Sequence, residues 1–136
     1  MMNAPLQTID QKVAVEYLKF FYQPIRQEIN QLSVQDNFAG IMQLTINYLK
    51  KLLHESKVNI IARHIKLMDW IYQNGNHYVR TMIENLFIRS FESFKKLTKA
   101  QNWQLLYQYM PIEFQQIHLN QTKLDEIMFK KPVSQA

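Results

Sequence analysis

Histidine and carboxylate side chains are the first candidates for chemistry, because the chain contains four histidines and no cysteine. A zinc site on one helix places two histidines four residues apart, as in the HExxH motif. No two histidines here have that spacing, and the pairs His64–Asp69 and Glu113–His118 are each five residues apart. We therefore predict no metal site and no cofactor, although a site assembled from separate helices stays open. The four histidines, which we expect at surface or interface positions, are His54, His64, His77 and His118.

Motifs for nucleophilic or phosphate chemistry are also missing. With two glycines, the sequence has no GxSxG elbow, no phosphate-cradling loop and no dinucleotide fingerprint. Most acidic residues fall on expected polar helix faces, where solvation explains each of them. Small helical RNases of the HEPN type pair an arginine with a histidine about four to six residues later, a spacing that none of the arginines has (Arg26, Arg63, Arg80 and Arg89). We predict that the protein is not an enzyme.

Composition favours an all-α fold with long helices and short connections. The chain has 136 residues, two glycines and four prolines, whereas strand proteins of this size use glycine freely at turns. Hydrophobic residues make up 47% of the chain, which argues against disorder. We predict a single domain, 1–136, with flexible ends at 1–7 and 130–136.

Charge and targeting signals give limited information about the cellular location of the protein. The formal net charge is +5, a mild basic bias. The first residues lack a basic region followed by an apolar one, so we predict no signal peptide. No apolar run approaches the ~20 residues that a bilayer requires. These features predict a cytoplasmic protein that does not bind membranes.

The segment 76–97, NHYVRTMIENLFIRSFESFKKL, is predicted to be the central helix of the fold. At ~100° per residue, its apolar residues share an arc about half the circumference wide, which indicates neighbouring helices on two sides. Ile88 lies nearly opposite the middle of this arc and is predicted to face outward. The arc consists of Val79, Met82, Ile83, Leu86, Phe87, Phe91, Phe94 and Leu97.

The other helices complete a predicted single compact bundle of about six. Thr8 and Gln11 have the spacing of a capping box that would begin the first helix. Pro24 would kink or restart that helix. The Asn74–Gly75 pair would end the third helix, with glycine in the left-handed conformation. The apolar side of the first helix is predicted to be Ile9, Val13, Tyr17, Phe20 and Phe21. The apolar residues assigned to the last helix are Ile112, Phe114, Ile117, Leu124, Ile127 and Met128.

Basic clusters raise nucleic-acid binding as an alternative function. They lie near 50–66 and 95–99, and the residues proposed to contact phosphates are Lys50, Lys51, Lys57 and Lys66. Acidic residues are interleaved with them, and helix C-termini favour lysine through the helix dipole alone. No helix-turn-helix pattern is evident. Nucleic acid therefore remains the second choice.

Arginine and surplus aromatic residues suggest a protein-binding surface. Arg80 lies one turn before Glu84, and either an ion pair between the two or an arginine anchor at an interface would explain it. Several aromatic residues cannot all face the core, so they form either extra core or an exposed patch. The interface candidates are Arg63, Trp70, Tyr78, Arg80, Ile88, Tyr107 and Tyr109.

Two stretches carry a resemblance. The segment IENLFIRSF (83–91), a following tryptophan and YMPIEFQQIHLNQ (109–121) resemble a group of small bacterial helical proteins of unknown function. The resemblance implies a stand-alone all-α bacterial protein, and it carries over no active site.

Together these observations predict a non-enzymatic protein-binding module. A single small domain with surplus surface aromatics resembles the immunity proteins that neutralise a secreted toxin by covering it. The mild basic charge suggests a toxin domain with an acidic surface. The oligomeric state is left open.

Overall fold

Seven helices follow one another in the computed structural model, which describes residues 8–55 and 57–129. They are α1 (Gln11–Phe21), α2 (Arg26–Val34), α3 (Phe38–His54), α4 (Val58–Asn74), α5 (77–96), α6 (Ala100–Tyr109) and α7 (Ile112–Phe129). No strand occurs in these residues, which confirms the predicted all-α class. The segments 1–7 and 130–136, predicted to be flexible, lie outside the described residues. Among the described helices, none is both long and apolar enough to cross a bilayer.

One hydrophobic cluster draws side chains from every helix. Its members include one fully or nearly fully buried residue from each of the seven: Leu18, Ile29, Met42, Met68, Phe87, Leu106 and Phe114. Because each helix contributes to the same cluster, the helices stabilise one another mainly through shared apolar burial.

Asp10 begins α1, and the predicted capping by Thr8 is wrong. The Oδ1 atom of Asp10 accepts a hydrogen bond of 2.9 Å from the backbone N–H of Val13. Ile9 is held instead by two backbone hydrogen bonds, of 2.6 and 2.7 Å, with the turn at 74–76. These bonds keep Ile9 outside the helix, so the helix starts later than the sequence pattern predicts.

The apolar side that we predicted for α1 faces largely outward. Val13, Tyr17 and Phe20 are 43%, 39% and 78% exposed, and the residues buried on α1 are Ala14, Val15 and Leu18. Because Ala14 is small, a neighbouring helix can approach this side of α1 closely. This favours burial of the row with Ala14 over burial of the row with the larger side chains of Tyr17 and Phe20. Pro24 does restart the helix as predicted: α1 ends at Phe21, and a short 3₁₀ turn leads into α2.

Gly75 shapes the turn between α4 and α5 through close packing. Its backbone is extended (φ −77°, ψ 150°), so the predicted left-handed conformation is wrong. A Cβ atom here would lie 2.7 Å from the carbonyl oxygen of Ile71 and 2.9 Å from a methyl group of Val79. Asn76 then caps α5 by accepting a hydrogen bond of 2.9 Å from the N–H of Val79.

A wide turn interrupts the central helix. α5 is α-helical over His77–Met82, forms a π-turn over Ile83–Phe87 and a 3₁₀ turn over Ile88–Ser90, and resumes as α-helix over Phe91–Lys96. The N–H of Ile88 bonds to the carbonyl of Ile83, an i→i+5 bond that takes one more residue per turn than an α-helix. Ile88, directly after the π-turn, is therefore rotated backward relative to a regular helix, and the tighter 3₁₀ turn that follows largely reverses this rotation before Phe91.

This rotation explains the error at Ile88. Ile88 is fully buried, so its predicted exposure is wrong, and Leu97 is 42% exposed although it belongs to the predicted arc. The burial of the central segment is otherwise confirmed, with Val79, Ile83, Phe87, Phe91 and Phe94 inside. The 100° periodicity places Ile88 wrongly because it assumes a regular helix throughout, whereas Leu97 is exposed because it follows the last residue of α5, Lys96.

Two side chains donate hydrogen bonds to backbone carbonyls of the wide turn. The Nε2 atom of Gln121 donates to the backbone carbonyl of Glu84 at 2.9 Å, and the hydroxyl of Ser90 donates to the carbonyl of Leu86 at 2.7 Å. Hydrogen bonds of this kind give backbone carbonyls a partner where the regular i→i+4 pattern of a helix is disturbed.

α7 buries only part of the apolar set assigned to it. Phe114 is fully buried and Ile117 is half-buried. Ile112, Leu124, Ile127 and Met128 are exposed, which corrects their assignment to the core. The first half of α7 packs against α4 and α5 through Phe114, whereas the second half is held by the ion pair between Arg89 and Asp125 at 2.9 Å.

Substitution of Ile88 and Leu97 tests the wide turn. We expect Ile88→Ala to lower the free energy of unfolding by about 3 kcal/mol, because it empties a buried site. Leu97→Ala should cost less than about 1 kcal/mol, because Leu97 is exposed. Urea unfolding followed by circular dichroism measures both. A cost for Ile88→Ala as small as that for Leu97→Ala would contradict the wide turn.

Candidate functional site

His64 is enclosed by aromatic rings in the core. It is 5% exposed, and its ring centroid lies 4.8 Å from that of Phe21, 4.6 Å from that of Tyr22 and 6.2 Å from that of Tyr48. Burial, with a smaller contribution from the charge of Arg63, lowers the pKa of His64 to about 4. His64 is therefore neutral at physiological pH, and the prediction of a surface or interface position is wrong for it.

His118 joins three helices through polar contacts. Its Nε2 atom lies 2.7 Å from a carboxylate oxygen of Glu92 on α5, and its Nδ1 atom lies 3.3 Å from the hydroxyl of Tyr107 on α6. The order Tyr107–His118–Glu92 resembles the nucleophile–base–acid order of a catalytic triad. Burial first and then the charge of Glu92 raise the pKa of Tyr107, so its hydroxyl stays protonated. These contacts connect α5, α6 and α7.

Metal ligands do not converge in the part of the chain that the structure describes. No group of three or more histidine, aspartate or glutamate side chains there could hold a metal ion. The His118–Glu92 pair supplies two such groups, and its nearest further neighbour is a tyrosine hydroxyl.

A polar cleft of about 750 Å³ lies beside the turn between α4 and α5. Its walls include Gln73, Asn76, His77, Arg80, Thr81 and Glu84. His77, Arg80, Thr81 and Glu84 share one face of α5, since they follow the i, i+3, i+4, i+7 spacing. The cleft therefore presents a cation and a carboxylate from the same helix.

Tyr72 contacts both Arg80 and Glu84, the two charged side chains for which the sequence suggested an ion pair. Its hydroxyl donates to Glu84 at 2.5 Å, and the Arg80 guanidinium carbon lies 4.7 Å from the centroid of its ring. Arg80 forms its ion pair with Glu113 at 3.9 Å, so the predicted Arg80–Glu84 pair is wrong. Burial and the bond to Glu84 raise the pKa of Tyr72, and the contact with Tyr72 raises that of Arg80. Both groups keep their protons, which suits recognition rather than proton transfer.

The outward sides of α1 and α4 form a mixed aromatic and cationic surface. The rings of Tyr17 and Trp70 meet edge to face, with centroids 4.7 Å apart, and Trp70 is 45% exposed. Arg63 and Lys66 precede Trp70 on the same side of α4, at the spacing i, i+3, i+7. Neither cation forms an ion pair with any residue that the structure describes. We call this surface the α1/α4 face, and it consists of Val13, Tyr17, Phe20, Arg63, Lys66 and Trp70.

The other interface candidates lie elsewhere. Tyr78 is 45% exposed and packs near Phe38 of α3, with ring centroids 6.0 Å apart. Tyr107 is half-buried against His118, and Tyr109 is exposed at the end of α6. Ile88 is buried and cannot contact a partner. Of the seven candidates, Arg63 and Trp70 are the two on the α1/α4 face.

Sequence reasoning missed the contribution of α1 to this face. Val13, Tyr17 and Phe20 have helical spacing, and we interpreted that spacing as a buried side. The available signal was a second apolar row on the same helix, formed by Ala14, Val15 and Leu18.

The four lysines proposed to bind nucleic acid have different surroundings. Lys57 forms an ion pair with Glu55 at 3.2 Å, and Lys66 lies on the α1/α4 face. Lys50 is half-buried and Lys51 is exposed in the last turns of α3, where the helix dipole favours them. Binding of nucleic acid through these residues stays a prediction.

Comparison with protein families gives one match. A family model described as "Domain of unknown function (DUF7674)" matches residues 15–124. The chain belongs to this family. The DUF7674 match begins within α1, ends within α7 and contains all of the wide turn, Trp70 and the polar cleft residues of α5. Comparisons with curated proteins and with solved structures found no significant match.

A pH series tests the buried state of His64 in this DUF7674 domain. The unfolded chain takes up a proton on this residue near pH 6.5, whereas the folded protein does so only near pH 4. Folding is therefore penalised as the pH falls through this window, and the shift from pH 6.5 to about 4 corresponds to about 3 kcal/mol. His64→Phe should remove it, so that the variant loses less stability than the wild type on acidification.

Urea unfolding between these two pH values measures the difference. His54→Gln is the matched control, because it also removes one histidine, but at an exposed position outside the aromatic cluster around His64. Parallel pH dependences for His64→Phe and the wild type would contradict a neutral, buried His64.

Proposed function

We propose that this DUF7674 domain is a non-enzymatic protein-binding module that binds its partner through the α1/α4 face. The observation that carries the proposal is the exposed pair of Tyr17 and Trp70 on the same face as Arg63 and Lys66, which form no ion pair with the residues that the structure describes. Tryptophan, tyrosine and arginine are the residue types that dominate binding energy at protein interfaces. Within this class, we propose an immunity-type protein that neutralises a cognate bacterial toxin by direct contact.

Preorganisation supports this choice of surface. Trp70 is fixed by its contact with Tyr17, and the start of α1 is tied to the turn at 74–76 by the two backbone bonds of Ile9. Aromatic side chains on rigid helices lose little conformational freedom on binding, so more of their contact energy appears as affinity.

The charge of the face favours an acidic partner. Glu16, the acidic residue between Val13 and Tyr17, forms an ion pair with Lys19 at 2.9 Å. Arg63 and Lys66 have no such partner among the described residues, and they agree in sign with the net charge of +5. Positive charge at the rim of an apolar patch speeds association with an acidic protein and disfavours basic ones.

The internal polar groups support a non-enzymatic role. The two sites that resemble chemistry, Tyr107–His118–Glu92 and Arg80–Tyr72–Glu84, each use their hydrogen bonds to connect helices. In each site the tyrosine hydroxyl is engaged by a side chain of a neighbouring helix, and burial is the main cause of its raised pKa.

Co-purification with the product of a neighbouring toxin gene tests the proposal. We expect a stable complex, and we expect Trp70→Ala to weaken it by about 2 kcal/mol, which is roughly a 30-fold rise in Kd. Arg63→Glu should slow association and reduce its dependence on salt, because it reverses one of the two steering charges. Isothermal titration calorimetry and stopped-flow kinetics measure these effects.

Tyr109→Ala is the matched control, because Tyr109 is an exposed aromatic residue outside the α1/α4 face. Unchanged affinity of Trp70→Ala would place the interface elsewhere. If no toxin complex forms and the protein instead shifts RNA or DNA with a steep salt dependence that Lys50→Ala, Lys51→Ala and Lys57→Ala flatten, the nucleic-acid alternative replaces the proposal.

A further inference from the structure

The polar cleft beside the turn between α4 and α5 has the size of a small-molecule site. Its volume of about 750 Å³ lies within the range of roughly 300–1,000 Å³ that is typical of ligand pockets. Such pockets are usually lined mainly by apolar side chains. Here every side chain on the walls carries a hydrogen-bonding group: Thr8, Gln73, Asn74, Asn76, His77, Arg80, Thr81 and Glu84. The cleft therefore suits a small polar molecule rather than an apolar one.

Arg80 keeps hydrogen-bond donors for a ligand. Its guanidinium group lies over the ring of Tyr72, with the guanidinium carbon 4.7 Å from the ring centroid. The nearest carboxylate oxygen among the described residues belongs to Glu113, at 3.9 Å, which is longer than a direct hydrogen bond. Glu113 instead accepts a hydrogen bond of 2.8 Å from Gln73. Arg80 is thus held in place, while the planar group that binds carboxylates with two parallel hydrogen bonds stays open.

Glu84 supplies the opposite charge on the same wall. One of its carboxylate oxygens accepts the hydrogen bond of 2.5 Å from Tyr72, and the other accepts none from the residues that the structure describes. Arg80 and Glu84 lie one turn apart on α5, so their Cβ atoms are about 5–6 Å from each other. Because each of the two contacts Tyr72 and they form no ion pair with one another, both charges remain available to a ligand.

The walls that carry these two charges are fixed in the folded protein. Two backbone hydrogen bonds, of 2.6 and 2.7 Å, join Ile9 to Asn74 and Asn76. The backbone carbonyl of Glu84 accepts a hydrogen bond of 2.9 Å from the amide of Gln121. Glu84 also lies in the π-turn, and π-turns inside helices occur frequently at functional sites. A cleft that is formed in advance loses little free energy on ordering when a ligand binds.

We propose that this cleft binds a free α-amino acid, with the carboxylate of the ligand on Arg80 and its ammonium group on Glu84. A purely anionic ligand would be repelled by Glu84, and a purely cationic one by Arg80, whereas a zwitterion complements both. One carbon atom separates the two charged groups of an α-amino acid, which suits wall groups that are one helical turn apart. The remaining wall consists of amides and hydroxyls, so an amino acid with a polar side chain is preferred.

This site does not depend on the toxin-binding proposal, because it uses none of the residues of the α1/α4 face. Isothermal titration calorimetry with free L-glutamine, L-asparagine, L-serine and L-threonine tests it. We expect at least one of these to bind at millimolar concentration, and L-leucine to bind at least about tenfold more weakly. The N-acetyl derivative and the methyl ester of the amino acid that binds each lack one charge, so each should also bind at least about tenfold more weakly.

Substitutions in the cleft locate the binding. Arg80→Met and Glu84→Gln should each raise Kd at least about tenfold, because each removes one of the two charges. Arg26→Met and Glu28→Gln are the matched controls, because both residues are exposed on α2, outside the cleft, and their loss should leave Kd unchanged. Circular dichroism establishes that each variant is folded. Should Glu84→Gln fail to fold, Arg80→Met and the two blocked derivatives decide the result.

Three outcomes would overturn the proposal. The first is that none of the four polar amino acids binds the wild type at millimolar concentration. The second is that the N-acetyl derivative or the methyl ester binds as tightly as the free amino acid, because a zwitterion is then not required. The third is that a folded Arg80→Met variant keeps the Kd of the wild type, which would place the bound amino acid outside the cleft.

Discussion

The wide turn at Ile83–Phe87 is the constraint on which the rest of the bundle depends. On a regular helix Ile88 would lie on the outer side, but the extra residue in the turn brings Phe87 and Ile88 inside together. The 3₁₀ turn at Ile88–Ser90 rotates the helix the other way, so Phe91 keeps the inward direction that a regular helix would give it. Its ring lies 6.3 Å from that of Trp103 on α6 and 6.4 Å from that of Phe114 on α7.

The fold class could be predicted because it depends on features that act locally. Few glycines, helical spacing of apolar residues and the restart at Pro24 each indicate helices without knowledge of distant contacts. The orientation of α1 could not be predicted in the same way. That helix has two apolar rows, and only packing decides that Ala14 and Leu18 enter the core while Tyr17 stays outside. Periodicity identifies a helix, but it does not choose between two rows.

The candidate site was partly predictable for a similar reason. Trp70 stands out in the sequence because other residues of α4 already fill the inward positions. Its partner Tyr17 lies 53 residues earlier in the chain, and no local pattern connects the two. The polar contacts of Glu92 with His118 and of Tyr72 with Glu84 also join separate helices. Sequence spacing within one helix cannot reveal such pairs.

Four titratable side chains inside the bundle have pKa values that shift in the direction that burial imposes. Burial raises the pKa of Tyr22, Tyr72 and Tyr107 and lowers that of His64, so in each case it favours the uncharged form. Enzymes use burial together with specific charges to bring a pKa towards the working pH. Here each shift moves the pKa further from 7, in agreement with the ring contacts and hydrogen bonds of these side chains inside the bundle. The binding that we propose therefore rests on the outer surfaces, where the aromatic and cationic side chains of α1 and α4 remain in contact with solvent.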